Sequence, residues 1–175
     1  MSKPEIECDC KMCQRACRRK PGWFLPGEAE VLAENMGVSM QELFDEHLVV
    51  DWWSVMHDGI GEVERVYVLA PKTVGQMPGR EAGLNPLGRC HWYGDDGKCG
   101  VHELGKPFEC AQLTHGPDGD HEHAVSHEDV GLAWVGHQDQ IEKLLGRKPE
   151  GSRVPESPEE LMKFLSEAFM LDRED

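Results

Sequence analysis

The most reactive residues of this chain are seven cysteines, which fall into two groups far apart in the sequence. The first group has the spacing C-x-C-x-x-C-x-x-x-C, in which thiolates two to four residues apart can turn toward one point, as zinc sites and iron–sulfur clusters require. An odd number of cysteines cannot all pair as disulfides within one chain. The pattern therefore predicts a metal-ligand set: Cys8, Cys10, Cys13 and Cys17, followed by Cys90, Cys99 and Cys110.

The second group has only three cysteines, so it either takes a histidine as a further ligand or shares its thiolates with the first group. His102 lies three residues after Cys99, and His115 lies five residues after Cys110. Both spacings are compatible with a shared ion. His91 is a third candidate, and we include His102 with the seven cysteines in the predicted ligand set.

The spacing alone does not decide between zinc and iron–sulfur chemistry. Seven thiolates exceed what one zinc ion can use, which favours an iron–sulfur cluster, for example a [4Fe–4S] cluster, over zinc. Two zinc ions, one for each cysteine group, fit the number of ligands nearly as well. Cys10, Cys13 and Cys17 have the radical-SAM spacings in reverse order, so they do not form that motif. The spacing of bacterial ferredoxins is also absent.

A histidine-rich segment follows the second cysteine group. His121 and His123 are two residues apart, a spacing that places side chains on one side of a strand, and such pairs serve iron and zinc enzymes. The surrounding sequence HGPDGDHEH is typical of a loop, so a solvated polar turn is the favoured interpretation.

Composition and charge restrict the classes of partner. Lys and Arg number 18 against 33 Asp and Glu, for a net charge of −15, which opposes binding to nucleic acid or anionic lipid. No apolar run is long enough to span a membrane, and no apolar N-terminal segment suggests secretion. These features predict a cytoplasmic protein with reduced cysteines.

Basic residues are concentrated around the first cysteine group. Two interpretations are open: local balance of the thiolate charge, or docking of an anionic substrate or partner. The residues concerned are Lys11, Arg15, Arg18, Arg19 and Lys20.

The elements that must position these ligands are short. Apolar spacing predicts a helix over 28–36 ended by Gly37, and a second helix over 40–50 that begins with a capping box of Ser39 and Glu42. The pair resembles a helix-turn-helix, but the acidic second helix argues against DNA binding. Residues 63–69 are β-prone, whereas 71–89 are rich in Gly and Pro and predict a long loop.

The second half of the chain contains a predicted turn and two predicted helices. A turn at 95–97 predicts a hairpin that brings Cys90 and Cys99 together. Apolar periodicity predicts a long helix over 130–145, weakened at Gly136, and a last amphipathic helix over 157–169. We therefore expect a small, mostly helical, loop-rich α+β fold stabilised by metal, with a short β-hairpin or small sheet. Residues 1–150 form the metal-binding domain, and 151–175 form a linker and a helix that packs on it.

The cysteine pattern over residues 8–115 resembles the CxxCxxCC-type zinc- or iron-chelating domain family, the YkgJ-like cysteine cluster proteins. Val101, His102, Lys106, Pro107 and Cys110 fit the end of the family pattern, and PGWFLPGEAE at 21–30 is similar to a bacterial subgroup. The adjacent cysteine pair of the family's name is absent, and Cys8 is an additional member of the first group.

The resemblance implies metal chelation through these cysteines. A related group, the flagellin lysine methylases, is thought to carry an iron–sulfur cluster on a similar cysteine set. The expected function is therefore a metal-binding protein whose partners are a metal ion or cluster and, where one exists, a protein or peptide. Two alternatives stay open: a small metalloenzyme that modifies a peptide or protein, and an interaction module that zinc stabilises.

Overall fold

The computed structural model describes residues 14, 17–56, 63–82, 88–111, 113–115, 121–123 and 127–150. Helix α1 (Glu28–Met36) and helix α2 (Met40–His47) come first. The sequence predicted the ends of these helices correctly where capping residues mark them. Gly37 ends α1 in the left-handed conformation that favours glycine, with φ of 72°. The predicted capping box of Ser39 and Glu42 is present at the start of α2.

A three-stranded sheet follows, with β1 (Leu48–Met56) between β2 (Val63–Pro71) and the short β3 (Arg80–Glu81). β1 pairs antiparallel with β2, from Leu48 opposite Pro71 to Met56 opposite Val63. β3 runs parallel to β1. The strand predicted at 63–69 is confirmed and extends by two residues.

The start of β1 corrects one prediction, because residues 48–50 belong to this strand and not to helix α2. All three residues of this apolar run are buried: Leu48, Val49 and Val50. A short apolar run of this kind lacks periodicity, so it fits a helix end or a buried strand equally well in sequence. Antiparallel pairing with β2 decides for the strand.

The later elements are short. They are helix α3 (His102–Gly105), helix α4 (Phe108–Ala111), strands β4 (Leu113–His115) and β5 (His121–His123), helix α5 (His127–Trp134), a 3₁₀ turn (Val135–His137) and helix α6 (Gln138–Leu145). The long helix predicted over 130–145 is thus two helices, and the break falls at the predicted weak point, Gly136. Strands β4 and β5 pair where a polar turn was expected.

Helices cover the sheet and close its edge. α5 packs against β1 and β2, and α6 packs against β2. The Gln138 side chain accepts from Tyr67 N–H at 2.9 Å and donates to Tyr67 C=O at 3.0 Å, so it satisfies backbone groups of β2 as a neighbouring strand would. The fold is a small α+β domain. Within the described residues, no helix combines the length and apolar character needed to cross a membrane.

The core combines both faces of the sheet with α1, α2, α5 and α6. Its largest fully buried side chains are Trp23, Trp134, Phe24, Phe44, Leu32, Leu43, Leu48, Leu69, Ile141, Val50 and Val66. Trp23 and Phe24 lie six and seven residues after Cys17, so the core fixes the segment that leads away from the first cysteine group. The predicted helix over 157–169 and the boundary at 150 lie outside what the structure describes.

Candidate metal centre

The structure joins the first cysteine group to the second through the backbone. Cys90 N–H donates to Cys17 C=O at 2.8 Å, and Gly88 N–H donates to Arg19 C=O at 2.6 Å. On its other side, Cys90 bridges to Thr73, which follows β2. The sheet therefore holds Cys90, and Cys90 in turn holds Cys17.

A tight turn places Cys99 beside Cys90, as the sequence predicted from Asp95, Asp96 and Gly97. Tyr93 N–H donates to Cys90 C=O at 3.0 Å, and Tyr93 forms an isolated antiparallel bridge with Cys99. The turn closes through Gly94 N–H, which donates to Lys98 C=O at 2.9 Å.

Cys110 reaches the same site from α4. Gly22 N–H donates to the Cys110 Sγ at 3.1 Å. A Cβ atom added at Gly22 would lie 2.7 Å from that sulfur and 2.9 Å from Cys110 N. The close approach therefore requires glycine at position 22. A backbone N–H directed at sulfur favours the thiolate form.

Cys90 lies close enough to Cys17, Cys99 and Cys110 for their charges to interact. Burial, and then the charges of the Cys17 and Cys99 thiolates, raise the pKa of Cys90 to about 12. Burial and the Cys17 thiolate also raise the pKa of Cys110, and the Gly22 hydrogen bond and the Lys106 charge act in the opposite direction. A bound cation reverses this situation, because it favours the thiolate forms of Cys90 and Cys110.

Cys90 and Cys110 are free cysteines. Cys90 is buried, and Cys17, Cys99 and Cys110 are half-buried. Among the residues with described side chains, no three of the types His, Cys, Asp and Glu are arranged around one ion position. The remaining predicted ligands, Cys8, Cys10 and Cys13, lie outside the described residues.

Two of the three histidine candidates of the second group, His91 and His102, lie close to its cysteines, and the side chain of His115 lies outside what the structure describes. His102 N–H donates to Cys99 C=O at 3.1 Å, and the His102 Nδ1 is buried without a hydrogen-bond partner in the described part of the chain. His91 stacks on His47 with ring centroids 5.1 Å apart. Burial, and then the His47 charge, lower the pKa of His91 to about 4. His91 is therefore neutral at pH 7, the form in which imidazole binds metals.

Basic side chains surround the turn between Cys90 and Cys99. The guanidinium carbons of Arg18 and Arg89 lie 5.8 and 5.4 Å from the centroid of the Tyr93 ring. Arg89 also donates to Tyr93 C=O at 2.7 Å and pairs with Asp95. Of the predicted basic segment, Arg18 thus lies beside the turn between Cys90 and Cys99.

One polar network beside the cysteines was not predicted. The Glu109 carboxylate is only 6% exposed, and its Oε2 accepts from Trp23 N–H at 2.6 Å. Its Oε1 contacts the His127 Nδ1. The centroids of the His127 and Trp23 rings are 4.4 Å apart. The only sequence signal was the position of Glu109 next to Cys110, because α4 is too short to show periodicity.

Comparison of the chain with protein-family models, curated proteins and solved structures gives no match. The geometry of the cysteines and their surroundings therefore carries the functional argument.

Proposed function

We propose that this chain is a cytoplasmic metal-binding protein that holds an iron–sulfur cluster through its cysteines. One observation carries the proposal: Cys17 of the first group lies with Cys90, Cys99 and Cys110 of the second. Thiols from chain segments more than seventy residues apart thus lie close enough for their charges to interact. The resemblance to cysteine-cluster domains, drawn from sequence, supports the same proposal.

The chemistry of the surroundings fits bound thiolates. Without a cation, burial and mutual repulsion keep the Cys90 and Cys110 thiols protonated. The Gly22 N–H and the Lys106 charge offset part of this cost. Thiolates held by metal, with N–H donors and nearby lysine, form the usual environment of such centres.

We favour a cluster over a single zinc ion on the number of ligands. Zinc takes four ligands at one atom, whereas a cubane cluster takes its four cysteines at separate iron corners. The four described cysteines equal in number the ligands of a cubane cluster, and Cys8, Cys10 and Cys13 add three more thiols in the same chain. A bound cluster would supply electron transfer.

The test is metal and sulfide analysis of the full chain purified without oxygen, with an absorption spectrum. We expect about four iron atoms and four sulfides per chain, and broad visible absorption from sulfide-to-iron charge transfer. The double variant Cys90→Ser/Cys110→Ser should lose both. Val74→Ser, at a 64% exposed position near Cys90, is the control and should retain them.

Colourless protein with one or two zinc ions would overturn the proposal of an iron–sulfur cluster. It would leave the zinc-stabilised interaction module as the function that fits the same cysteines.

A further inference from the structure

Basic residues border the cysteine centre in a chain that is otherwise acidic. Each of three cysteines has a basic residue next to it in sequence: Cys17 with Arg18, Cys90 with Arg89, and Cys99 with Lys98. The cysteines are buried or half-buried, whereas Arg18 and Lys98 are exposed and the Arg89 side chain is 40% exposed. The basic member of each pair therefore reaches solvent at the edge of the centre.

The folded chain brings these basic residues together around one aromatic ring. The guanidinium carbons of Arg18 and Arg89 lie 5.8 and 5.4 Å from the centroid of the Tyr93 ring. Lys98 directly precedes the residue that forms an isolated bridge with Tyr93. The exposed Arg19 follows Arg18. We call Arg18, Arg19, Arg89 and Lys98 the basic surface.

The charge of this region is opposite in sign to that of the molecule. Residues 17–20 and 88–99 contain five basic side chains and two acidic ones, in a chain with a net charge of −15. The acidic residues are Asp95 and Asp96. Asp95 pairs with Arg89, but the Asp95 side chain is 96% exposed, and an ion pair at such a position contributes little. The region therefore keeps a net positive charge.

Balance of the thiolate charge does not account for this surface. Burial, backbone hydrogen bonds from Trp92 and Tyr93, and the neighbouring thiolates are the causes that set the pKa of Cys90, and no basic side chain of the described residues is among them. The basic side chain that acts on the pKa of Cys110 is Lys106, which is not part of the surface. The basic surface is thus better suited to a charge outside the chain.

We propose that the basic surface docks an acidic segment of a protein partner and so brings that partner next to the cysteine centre. That the partner meets an iron–sulfur cluster there rests on the proposed function. A segment rich in Asp and Glu is repelled by most of this chain and attracted here, so its encounter is steered to one place. The planar forks of arginine also match carboxylates in geometry.

Nucleic acid is the other anionic polymer that this charge could attract. Proteins that bind single strands add aromatic side chains on which the bases stack. The aromatic ring within the basic surface is that of Tyr93, and it is only 6% exposed. The surface therefore fits the carboxylates of a protein better than it fits a nucleic acid strand.

The probe is a fluorescein-labelled oligoglutamate peptide, titrated with the full chain as purified and followed by fluorescence anisotropy. We expect saturable binding at low salt that weakens at about 0.15 M salt, where the Debye length is about 8 Å. A labelled oligothymidylate of the same number of charges is titrated in parallel and should bind more weakly. Neither result depends on which metal the cysteines hold.

Three variants make the test specific to the surface. Arg18→Glu/Lys98→Glu should weaken peptide binding by about 10-fold, the scale expected of a few surface charge pairs. Lys143→Glu/Lys148→Glu makes the same change in net charge at two exposed lysines, on α6 and just after it, and should keep most of the affinity. Arg18→Gln/Lys98→Gln only removes charge and should give an intermediate affinity.

Any of three results would reject the proposal: no binding of the peptide by the wild type, equal loss of affinity in the two charge-reversal variants, or tighter binding of oligothymidylate than of the peptide. Circular dichroism of each variant checks its fold. Should Arg18→Glu/Lys98→Glu unfold, the affinity of Arg18→Gln/Lys98→Gln relative to the wild type decides, and equal affinities reject the surface.

The failure of this proposal is distinguishable from the failure of the proposed function. Protein that holds the iron–sulfur cluster but has no affinity for the peptide would reject the docking surface and keep the cluster. Colourless zinc protein that binds the peptide through Arg18 and Lys98 would reject the cluster and keep the docking surface.

Discussion

At the scale of single residues, Gly22 is the position on which the cysteine site depends most directly. We predict that Gly22→Ala destabilises the domain by about 1–3 kcal/mol, as overpacking of a tight interior does. The added Cβ would lie 2.7 Å from the Cys110 Sγ and 3.0 Å from the Glu109 Cβ, and neither neighbour belongs to a long flexible side chain. Urea unfolding of the two proteins measures the change.

Gly136→Ala is the matched control for this substitution. A Cβ at position 136 meets nothing within 4 Å, and the residue is not among those with positive φ. The control should be neutral or more stable by about 0.4–1 kcal/mol, since alanine restricts the unfolded chain. Equal destabilisation by both substitutions would show that the Gly22–Cys110 approach has no special role.

Glu28 gives the stability a defined pH dependence. Its Oε2 accepts from Leu25 N–H at 2.8 Å and from Phe108 N–H at 3.0 Å, which links α1 to α4. Burial nevertheless raises the pKa of Glu28 above its ordinary value of 4.5, and the two hydrogen bonds only partly oppose this. The folded state therefore holds this proton more tightly than the unfolded chain does.

The domain therefore loses stability as pH rises from about 4.5 through the raised pKa of Glu28. Above that pKa the loss from Glu28 is complete and does not change further with pH. Glu28→Gln should remove this component. The measurement is the free energy of unfolding of both proteins between pH 4 and 7, about the range in which carboxyl groups titrate. Glu34→Gln, at an exposed position of the same helix, controls for the loss of a charge. A pH-independent difference between wild type and Glu28→Gln would contradict the assignment.

At the scale of elements, α2 depends on its capping box. The Ser39 Oγ accepts from Glu42 N–H at 3.2 Å, and the Glu42 Oε2 accepts from Ser39 N–H at 2.8 Å. We predict that Ser39→Ala costs about 1 kcal/mol, the usual value of an N-cap side chain. Chemical denaturation of this variant and of Ser54→Ala, an exposed serine on β1, tests it. A Ser54→Ala effect of the same size would mean that the cap contributes nothing.

The capping box and the cysteine turn show what the sequence specifies locally. Ser39 with Glu42 predicted the start of α2, and Asp95 to Gly97 predicted the turn between Cys90 and Cys99. Both depend on residues within a few positions of each other, which short motifs encode directly. The switch from α2 to β1 at Leu48 was not predictable in this way, because pairing with distant β2 decides it.

The same distinction between local motifs and distant contacts applies to the cysteine site. Type and spacing made the cysteines candidate ligands. Their neighbourhood was not predictable, since it depends on contacts such as Cys90 N–H to Cys17 C=O across seventy-three positions. The only local signal for Glu109 was its position next to Cys110, and nothing local marked its contact with His127. Their pairing follows from the way the chain before β4 meets the chain after β5, which only the folded structure contains.

At the scale of the whole molecule, the proposed cluster would add a further link between segments that hydrogen bonds already bring together. Cys17 follows the N-terminal region, Cys90 and Cys99 lie in the turn after the sheet, and Cys110 lies on α4. Ligands shared between these segments would close long loops and would add to the stability that the hydrophobic core provides. The net charge of −15 opposes compaction, and a cation among the thiolates offsets part of that repulsion locally.

We therefore predict that removal of the metal lowers the melting temperature of the whole domain. A ligand present at about 100 times its dissociation constant adds about 2.7 kcal/mol to stability, which for a chain of this size corresponds to a fall on the order of 5 to 10 °C when it is removed. Thermal unfolding of the loaded and the stripped protein, followed anaerobically by circular dichroism, measures the shift.

The variant Cys90→Ser/Cys110→Ser separates ligation from any side effect of the stripping treatment. Lacking two thiols of the site, it should melt at one temperature before and after the treatment, below that of the loaded wild type. Equal melting temperatures of loaded and stripped wild-type protein would mean that the metal does not link these segments. The contacts from Cys90 to Cys17 and from Gly22 to Cys110 would then connect these segments without the metal. The cysteines would bind the metal without adding to the stability of the domain.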